Sequence, residues 1–336
     1  LNEGFKGQLE VKDSYISVFA NFPYISVDLR DVVFYADKIE KQDTIYFASD
    51  IYLGFSVFDL LSGKNRIKSI KLSGGNLNLQ KAEDGKINLL TAKGLYEPSD
   101  SVNEEDIKID LSAVKIRDFH IDFQDLLSKS VISTQIEDVI ATLKIEDDHI
   151  FAKLDSELIL DIIEEGLPTF FSQKHINLDL VLDYDQNEAF LMIRNSKLRL
   201  EEAQFSLTGE VDLDDDIDLD LRITGEKSDF SLLAAFLPNE TGNALKRYKN
   251  QGDVYFQGRV RGKSANGNVP EIALEFGCDN AYFLNPTVGK KVEDLRFVGF
   301  YTNGEERSLK TSEFQLLNFN AKPDQGTFKG KLIIRD

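Results

Sequence analysis

The chain has 336 residues, of which 42% are hydrophobic and 29% charged, and its formal net charge is −19. The negative charge argues against nucleic-acid binding, because phosphate backbones demand Lys and Arg, and against electrostatic docking on an anionic membrane leaflet. It is typical of a solvated outer face that keeps a large sheet in solution, and no stretch approaches the roughly 18 apolar residues that span a bilayer.

The first 95 residues are predicted to form short strands with one short helix. The compact apolar cluster at 57–62 is followed by Gly63, which is typical of a helix with a glycine at its end. The strands predicted around it are 16–18, 25–29, 32–36, 46–48, 51–53, 67–72 and 77–79. The acidic segment 97–105, which contains Pro98, is the best linker candidate, so we expect an N-terminal module at 1–95 and a body at 107–336 that continues the same sheet.

From Ile107 onward, strand segments recur at short intervals. The segment Ile150–Glu165 fits either a helix or a strand, and its neighbours favour a strand. One helix is predicted at 229–237, with Asp229 as its N-cap and Pro238 as its stop. The tight turns between strands favour antiparallel pairing.

Period-2 alternation is the dominant pattern of the sequence. Successive side chains of a strand point to opposite faces, so each such segment has one apolar face and one polar face. The candidate lining of a shared apolar surface is taken from three of these strands: Ile176, Leu178, Leu180, Leu182, Ile217, Leu219, Leu221, Ile223, Ile272, Leu274 and Phe276. The carboxylates between them are expected to face water.

Catalytic and metal-binding patterns are missing from the sequence. The single cysteine, Cys278, lies on the apolar register and is interpreted as a buried structural thiol. His120, His149 and His175 have no carboxylate at a telling spacing and are expected to face solvent. The acidic runs that begin at Asp183 and Asp212 lack the glycine and the final glutamate of a calcium loop, so we expect no catalysis, no metal and no cofactor.

The order of elements in the first module resembles that of the AsmA family. A strand pair marked by Pro23 precedes the cluster Val57–Leu61 with its Gly63 end, and the strand Leu77–Leu79 precedes the turn Asp84–Asn88. The C-terminal part is similar as well, in the helix–strand block and the segments that continue it: Asp229–Pro238, Gly252–Gly262, Pro270–Leu274 and Asn280–Phe283. The resemblance spans nearly the whole chain and is closest to AsmA-like proteins of Bacteroidetes type, which are related to TamB and to bridge-like lipid-transfer proteins.

This resemblance implies a fold, a location and a function. The fold is mainly β, an elongated and curled antiparallel sheet that forms an open apolar groove, or incomplete barrel, with short helices around 57–62 and 229–237. The location is the periplasm, with an inner-membrane anchor upstream of Leu1. The partners are phospholipids or other acyl-chain ligands, and the function is lipid movement in support of outer-membrane biogenesis, without catalytic residues.

Alternation by itself leaves other readings open. A packed sandwich and an open groove bury inward Leu and Ile side chains with similar gain, so the pattern does not separate them. An interaction scaffold for outer-membrane protein assembly is the second function, because an exposed strand edge can pair with another strand. A carbohydrate-binding sandwich is the third, and it would need a platform formed by surface aromatics: Tyr46, Tyr52, Tyr282 and Tyr301.

Overall fold

A computed structural model describes residues 6–21, 24–39, 43–63, 66–95, 108–169, 171–214, 217–265 and 268–335. The protein is mainly β, with 69% of these described residues in strands and 8% in helices. Within these ranges the strands form a single 17-stranded sheet that is not closed into a barrel, and four short helices accompany it. The mainly β class predicted from the alternation is confirmed.

The strands are long, and most hold more than ten residues. In chain order they are β1 (Gln8–Asn21), β2 (Tyr24–Tyr35), β3 (Thr44–Ser56), β4 (Arg66–Lys81), β5 (Lys108–Asp125), β6 (Ser130–Glu146), β7 (His149–Glu164), β8 (Leu167–Pro168), β9 (Lys174–Asp185), β10 (Phe190–Leu200), β11 (Ala203–Asp212), β12 (Asp218–Lys227), β13 (Lys249–Lys263), β14 (Glu271–Leu284), β15 (Lys291–Thr302), β16 (Glu313–Pro323) and β17 (Phe328–Arg335). The helices are α1 (Val57–Leu61), α2 (Asn88–Ala92), α3 (Ser231–Ala234) and α4 (Asn239–Leu245). The ambiguous segment 150–165 is therefore a strand, as predicted.

Neighbours in sequence are mostly neighbours in the sheet. Each strand pairs with the next from β1 to β6 and from β9 to β17, and β7 pairs with both β8 and β9. The pairs with a defined register are antiparallel, as the tight turns predicted, except β4–β5, which is parallel. Parallel strands need a crossover of a dozen or more residues, and the connection from 82 to 107 is long enough.

The chain forms two compact units. The first contains Leu1–Ile145 with Lys153–Ile176, and the second contains Glu146–Ala152 with Asn177–Asp336. The expected linker at 97–105 lies outside the described residues. The strands on either side of it, β4 and β5, pair with each other within the first unit.

Two helix predictions have different outcomes. Helix α1 lies where it was expected, because the Ser56 hydroxyl accepts a hydrogen bond from the Asp59 N–H and Gly63 follows with a φ of 76°. The helix expected at 229–237 is shorter than predicted, since α3 ends at Ala234. Pro238 has a φ of −52° and is the N-cap of the next helix, α4, instead of a simple stop.

Asn, Asp and Gly residues with positive φ interrupt the long strands. Asn280 (φ 49°) lies in β14 between Cys278 and Ala281, where the register with β15 shifts, and Asn318 (φ 55°) does the same in β16. At Asn280 the buried positions change from even to odd numbers, because Cys278 and Ala281 are both buried. Such β-bulges bend a strand while its apolar side chains stay on one face.

Strand β4 is interrupted in a similar way, by two glycines with positive φ. The sequence predicted two strands, 67–72 and 77–79, but the structure has one, with Gly74 (φ 64°) and Gly75 (φ 157°) in its middle. A Cβ on Gly75 would lie 2.1 Å from the Phe47 carbonyl oxygen, so only glycine fits this close backbone approach.

Candidate functional site: an apolar sheet face with one covered end

The register of β12, β13 and β14 assembles one apolar face in the second unit. Leu221 lies opposite Val260, which lies opposite Ile272. Ile223 lies opposite Gly258, which lies opposite Leu274. Directly opposed side chains of neighbouring strands are about 5 Å apart, so these residues form continuous rows across the sheet.

One end of this face is covered by helix α3 and by Phe236, which lies just beyond the end of the helix. We call it the covered end, and it consists of Phe205, Leu232, Phe236 and Phe256. Leu232 is 0% exposed and Phe205 1%, and the Phe236 and Phe256 rings stack with centroids 4.7 Å apart. A Cβ on Gly225 would lie 2.8 Å from both Leu232 Cδ1 and Phe205 Cδ1, which shows that α3 packs directly on the sheet.

The other end of the same strands has no helix over it among the described residues. We call it the open end, and it consists of Leu219, Leu221, Val260, Ile272 and Leu274. All five side chains are half-buried, whereas Phe205 and Phe256 farther along the face are fully buried. The helix α3 contacts β11, β12 and β13, and the described part of the chain holds no second sheet. The two-sheet sandwich that the alternation left open is therefore not the architecture.

Glycines keep the face thin. A Cβ on Gly299 would lie 2.4 Å from the Phe276 ring, and a Cβ on Gly258 would lie 3.2 Å from both Phe256 and Leu274. The absence of side chains at Gly299 and Gly258 thus leaves room for these aromatic rings close to the sheet.

The predicted lining residues mostly lie where the alternation put them. The three of β14 and three of the four predicted near β12 share the face just described. Ile217 is different, because it precedes β12 in a turn with a φ of 44°, and its carbonyl accepts hydrogen bonds from the Ser264 backbone and hydroxyl. A positive φ is rare for a β-branched residue, so the alternation gave no sign of this turn.

The four predicted residues of β9 are divided between the two units. Ile176 is 8% exposed and belongs to the first unit, whereas Leu178, Leu180 and Leu182 are half-buried and belong to the second. The salt bridge of 2.7 Å between Asp183 and Arg194 places Asp183 on the polar face of β9 and β10. The alternate residues of β9 therefore lie on the apolar face.

The same face contains further residues that the predicted lining did not include. They follow from the register of β11, β15 and β16 with the strands above: Leu207, Val211, Phe297, Tyr301, Phe314 and Leu316. The alternation of Phe314 and Leu316 was visible in the sequence. The bulge at Asn318 then moves the apolar positions from even to odd residue numbers, which the alternation did not predict. From β10 to β16 the face crosses six strand spacings, about 29 Å.

The first unit has an apolar face of its own. Its rows join β2 to β5 through pairs such as Leu29–Ile51, Ile51–Leu72 and Leu72–Ile116, and these side chains are half-buried. Its buried cluster of Phe34, Ile45 and Ala92 lies where α2 packs on β4. Each unit therefore has a helix over part of its sheet and a half-exposed remainder.

The polar face of β12 carries ion pairs. Arg259 donates two hydrogen bonds to Asp220, from Nε at 3.0 Å and from Nη2 at 2.6 Å. These bonds lower the pKa of Asp220 below the ordinary range of an aspartate. Asp218, Arg222 and Thr224 are exposed, as expected for the polar positions of this strand.

Two histidines have carboxylate partners that the sequence analysis did not single out. Asp183 accepts a hydrogen bond of 2.9 Å from His149 Nδ1, which raises the pKa of His149, and Asp185 lies 3.5 Å from Nε2. His149 lies in β7 and Asp183 in β9, so no pattern in a single segment encodes this pair. Asp122 lies 3.0 Å from His120 Nε2, and this pair is local, because the two residues occupy alternate positions on the same face of β5.

His120 is not arranged to activate the neighbouring Ser133 as a nucleophile. Ser133 donates its hydroxyl proton to Asp122 and not to His120, which reverses the order that activates a serine. Cys278 is 3% exposed, and burial raises the pKa of its thiol to about 12, so the thiolate is scarce at neutral pH. The prediction that Cys278 is buried is confirmed.

Further observations concern metal ligands, membrane-spanning helices and the surface tyrosines. In the described ranges, no three His, Cys, Asp or Glu side chains converge to hold a metal ion, and no helix combines the length and hydropathy of a membrane span. The hypothesis of a carbohydrate-binding platform needs four surface tyrosines, and one of them, Tyr46, is half-buried with its ring centroid 5.9 Å from that of Phe119. Burial raises the pKa of Tyr46 to about 12.

Comparison with protein-family models gives no match for this chain, and comparison with curated proteins gives none either. The function is therefore argued from the geometry of the sheet.

Proposed function

We propose that this protein is a non-catalytic lipid-binding protein whose apolar sheet face shelters the acyl chains of phospholipids. The observation that carries the proposal is the open end, where five large apolar side chains of three neighbouring strands stay only half-buried, although α3 covers the other end of two of these strands, β12 and β13. Large contiguous apolar surfaces of this kind mark binding sites in soluble proteins.

The energetics favour an acyl-chain occupant. Each methylene that leaves water for an apolar surface gains about 0.8 kcal/mol, and the side chains beneath it gain about 25 cal/mol per Å² of apolar area. A long face only one layer thick matches a long flexible chain better than a compact ligand, which would need an enclosed pocket. In this proposal the carboxylates and ion pairs of the opposite face stay in water.

The biological setting is part of the same proposal. An anchor in the inner membrane would hold this periplasmic body, and transfer of phospholipid along its sheet would support outer-membrane biogenesis and lipid homeostasis. This setting rests on the resemblance of the sequence to the AsmA family.

The proposal is tested by native mass spectrometry and lipid extraction of the purified chain. Leu219→Glu puts a charge on the open end, so we expect lipid occupancy to fall at least fivefold with little loss of folding stability. Thr224→Glu is the matched control, because it adds the same charge on the polar face of the same strand. Lipid-free wild-type protein, or equal loss of occupancy in both variants, would contradict the proposal.

A second function is favoured by strand β17. Every residue of this strand is exposed, and three consecutive apolar residues, Leu332, Ile333 and Ile334, are 48%, 43% and 53% exposed. Such a strand can pair with an extended segment of another protein, as an interaction scaffold for outer-membrane assembly would require. Binding of purified outer-membrane assembly proteins to lipid-free chain, and its loss in Ile333→Lys, would favour this function over the first.

A further inference from the structure

The last three strands form an open cavity of about 830 Å³. Its lining residues come from β15, β16 and β17: Arg296, Leu317, Asn318, Phe319, Asn320, Lys329, Gly330 and Lys331. Three of these side chains are cationic and none is a carboxylate, although the net charge of the chain is −19.

The register brings the cations together. Arg296 lies opposite Asn320, and Asn320 lies opposite Lys329, so these three side chains form one row on one face. Lys331 is two residues farther along β17 and lies on the same face as Lys329. The bulge at Asn318, with its φ of 55°, interrupts the ladder between β16 and β17 beside this row.

The charges of the row are only weakly neutralised by the protein. Arg296 Nε lies 3.8 Å from Asp279, whose side chain is 61% exposed. Lys329 and Lys331 form no hydrogen bond or ion pair within the described ranges, although many other lysines do, for example Lys81 with Asp125 at 2.9 Å. The Asn320 amide donates a hydrogen bond to the Asp294 carbonyl, which fixes the floor of the row.

From this geometry we infer that the row Arg296–Asn320–Lys329, with Lys331, binds a phosphate group. Two ammonium groups and a guanidinium offer donors in several directions, which suits a tetrahedral oxyanion of one or two charges. A long polyanion such as nucleic acid is disfavoured, because the rest of the acidic surface would repel it. The inference does not depend on acyl-chain binding, since the register puts the side chains of Arg296 and Lys329 on the opposite face of the sheet from Phe328.

The test is isothermal titration calorimetry of the full chain at low salt with three probes. They are inorganic phosphate, dihexanoyl phosphatidylglycerol below its micelle concentration and dihexanoyl phosphatidylcholine as a zwitterionic lipid. We expect phosphate binding that weakens at least tenfold in the double variant Lys329→Gln/Lys331→Gln. Phosphatidylglycerol that binds at least tenfold more tightly than phosphate identifies a lipid headgroup as the source, and equal affinities identify a free phosphate compound.

The matched control is Lys197→Gln/Arg199→Gln. These two cations also occupy alternate positions of one strand, β10, and removing them changes the net charge by the same amount. Binding within twofold of wild type is expected for this control. If both double variants lose affinity equally, or if Lys329→Gln/Lys331→Gln binds phosphate like wild type, the site is overturned.

Two further comparisons separate the loss of phosphate binding from a loss of folding and from a loss of acyl-chain binding. Should the double variant fail to fold, the single variants Lys329→Gln and Lys331→Gln are each expected to weaken binding about threefold, and unchanged binding in both overturns the site. Phosphate binding that survives in Leu219→Glu separates this inference from the lipid-binding proposal.

Discussion

The two ends of the apolar face in the second unit share strands β12 and β13 and the same alternation, yet they differ in burial. At the covered end Leu232 lies on Gly225 and Phe205 and excludes water, whereas at the open end Leu221 and Leu274 stay half-exposed. The strand pattern alone therefore does not make a core. A helix turns one part of the face into a core and leaves the rest available to a ligand.

Thiol labelling should separate the two ends most strongly. Cys278 represents the covered end, because it lies opposite Val254, two residues before Phe256 on β13, and both are buried. Its pKa is about 12, so at pH 8 it has roughly 10³-fold less thiolate than an ordinary cysteine. We expect Leu221→Cys in a Cys278→Ala background to react with iodoacetamide roughly 10³-fold faster than Cys278 in the wild type. Added phospholipid should slow the Leu221→Cys reaction only, and similar rates for both thiols would show that the two ends are equally covered.

Truncation of one leucine at each end should differ by several kcal/mol. Leu232→Ala opens a cavity in a fully buried site and should reduce the free energy of unfolding by about 2–5 kcal/mol. Leu221→Ala removes a half-exposed side chain, and about 1 kcal/mol is expected from the lost transfer free energy. Urea denaturation of lipid-free protein measures both, and equal losses would mean that the open end is packed like a core.

Glycine substitutions test the difference in packing between the two ends by adding a methyl group instead of removing atoms. In Gly225→Ala the new methyl group would lie 2.8 Å from Leu232 and Phe205, and overpacking should cost about 1–3 kcal/mol. In Gly258→Ala the nearest atoms, on Phe256 and Leu274, lie 3.2 Å away and need to shift by only a few tenths of an ångström, so we expect a smaller loss, below about 1 kcal/mol. Thermal unfolding of both variants is the measurement, and a larger loss in Gly258→Ala would reverse the assignment of the two ends.

A substitution on the polar face should change folding stability least, and the size of this change should depend on pH. Arg259 lowers the pKa of Asp220 in the folded protein, so the stabilisation is present above the unfolded pKa of about 4 and is lost as the pH falls through the folded value. We expect Asp220→Asn to be less stable than wild type at about pH 6 and the difference to narrow towards about pH 3. Urea denaturation at both pH values tests this, and a constant difference would exclude the ion pair as its source.

Much of the fold was predictable because alternation and turn chemistry are local. The segment 150–165 is a strand and Val57–Leu61 is a helix with a glycine end, as their sequences indicated. The parallel pairing of β4 and β5 was not predictable, because the choice of partner depends on a long connection and not on the strands themselves. The proposed phosphate site was also hidden, since Arg296 and Lys329 are 33 residues apart and meet only through β16.

The sequence by itself determined that this protein is built from one-sided strands, because a period of two residues puts every second side chain on the same face. It also determined most of the apolar lining, including Leu219, Leu221, Ile272 and Leu274. Only the tertiary structure decided which part of that face is core and which part is open. Coverage depends on where α3 packs and on bulges such as Asn318, and these are contacts between distant segments that local periodicity does not encode.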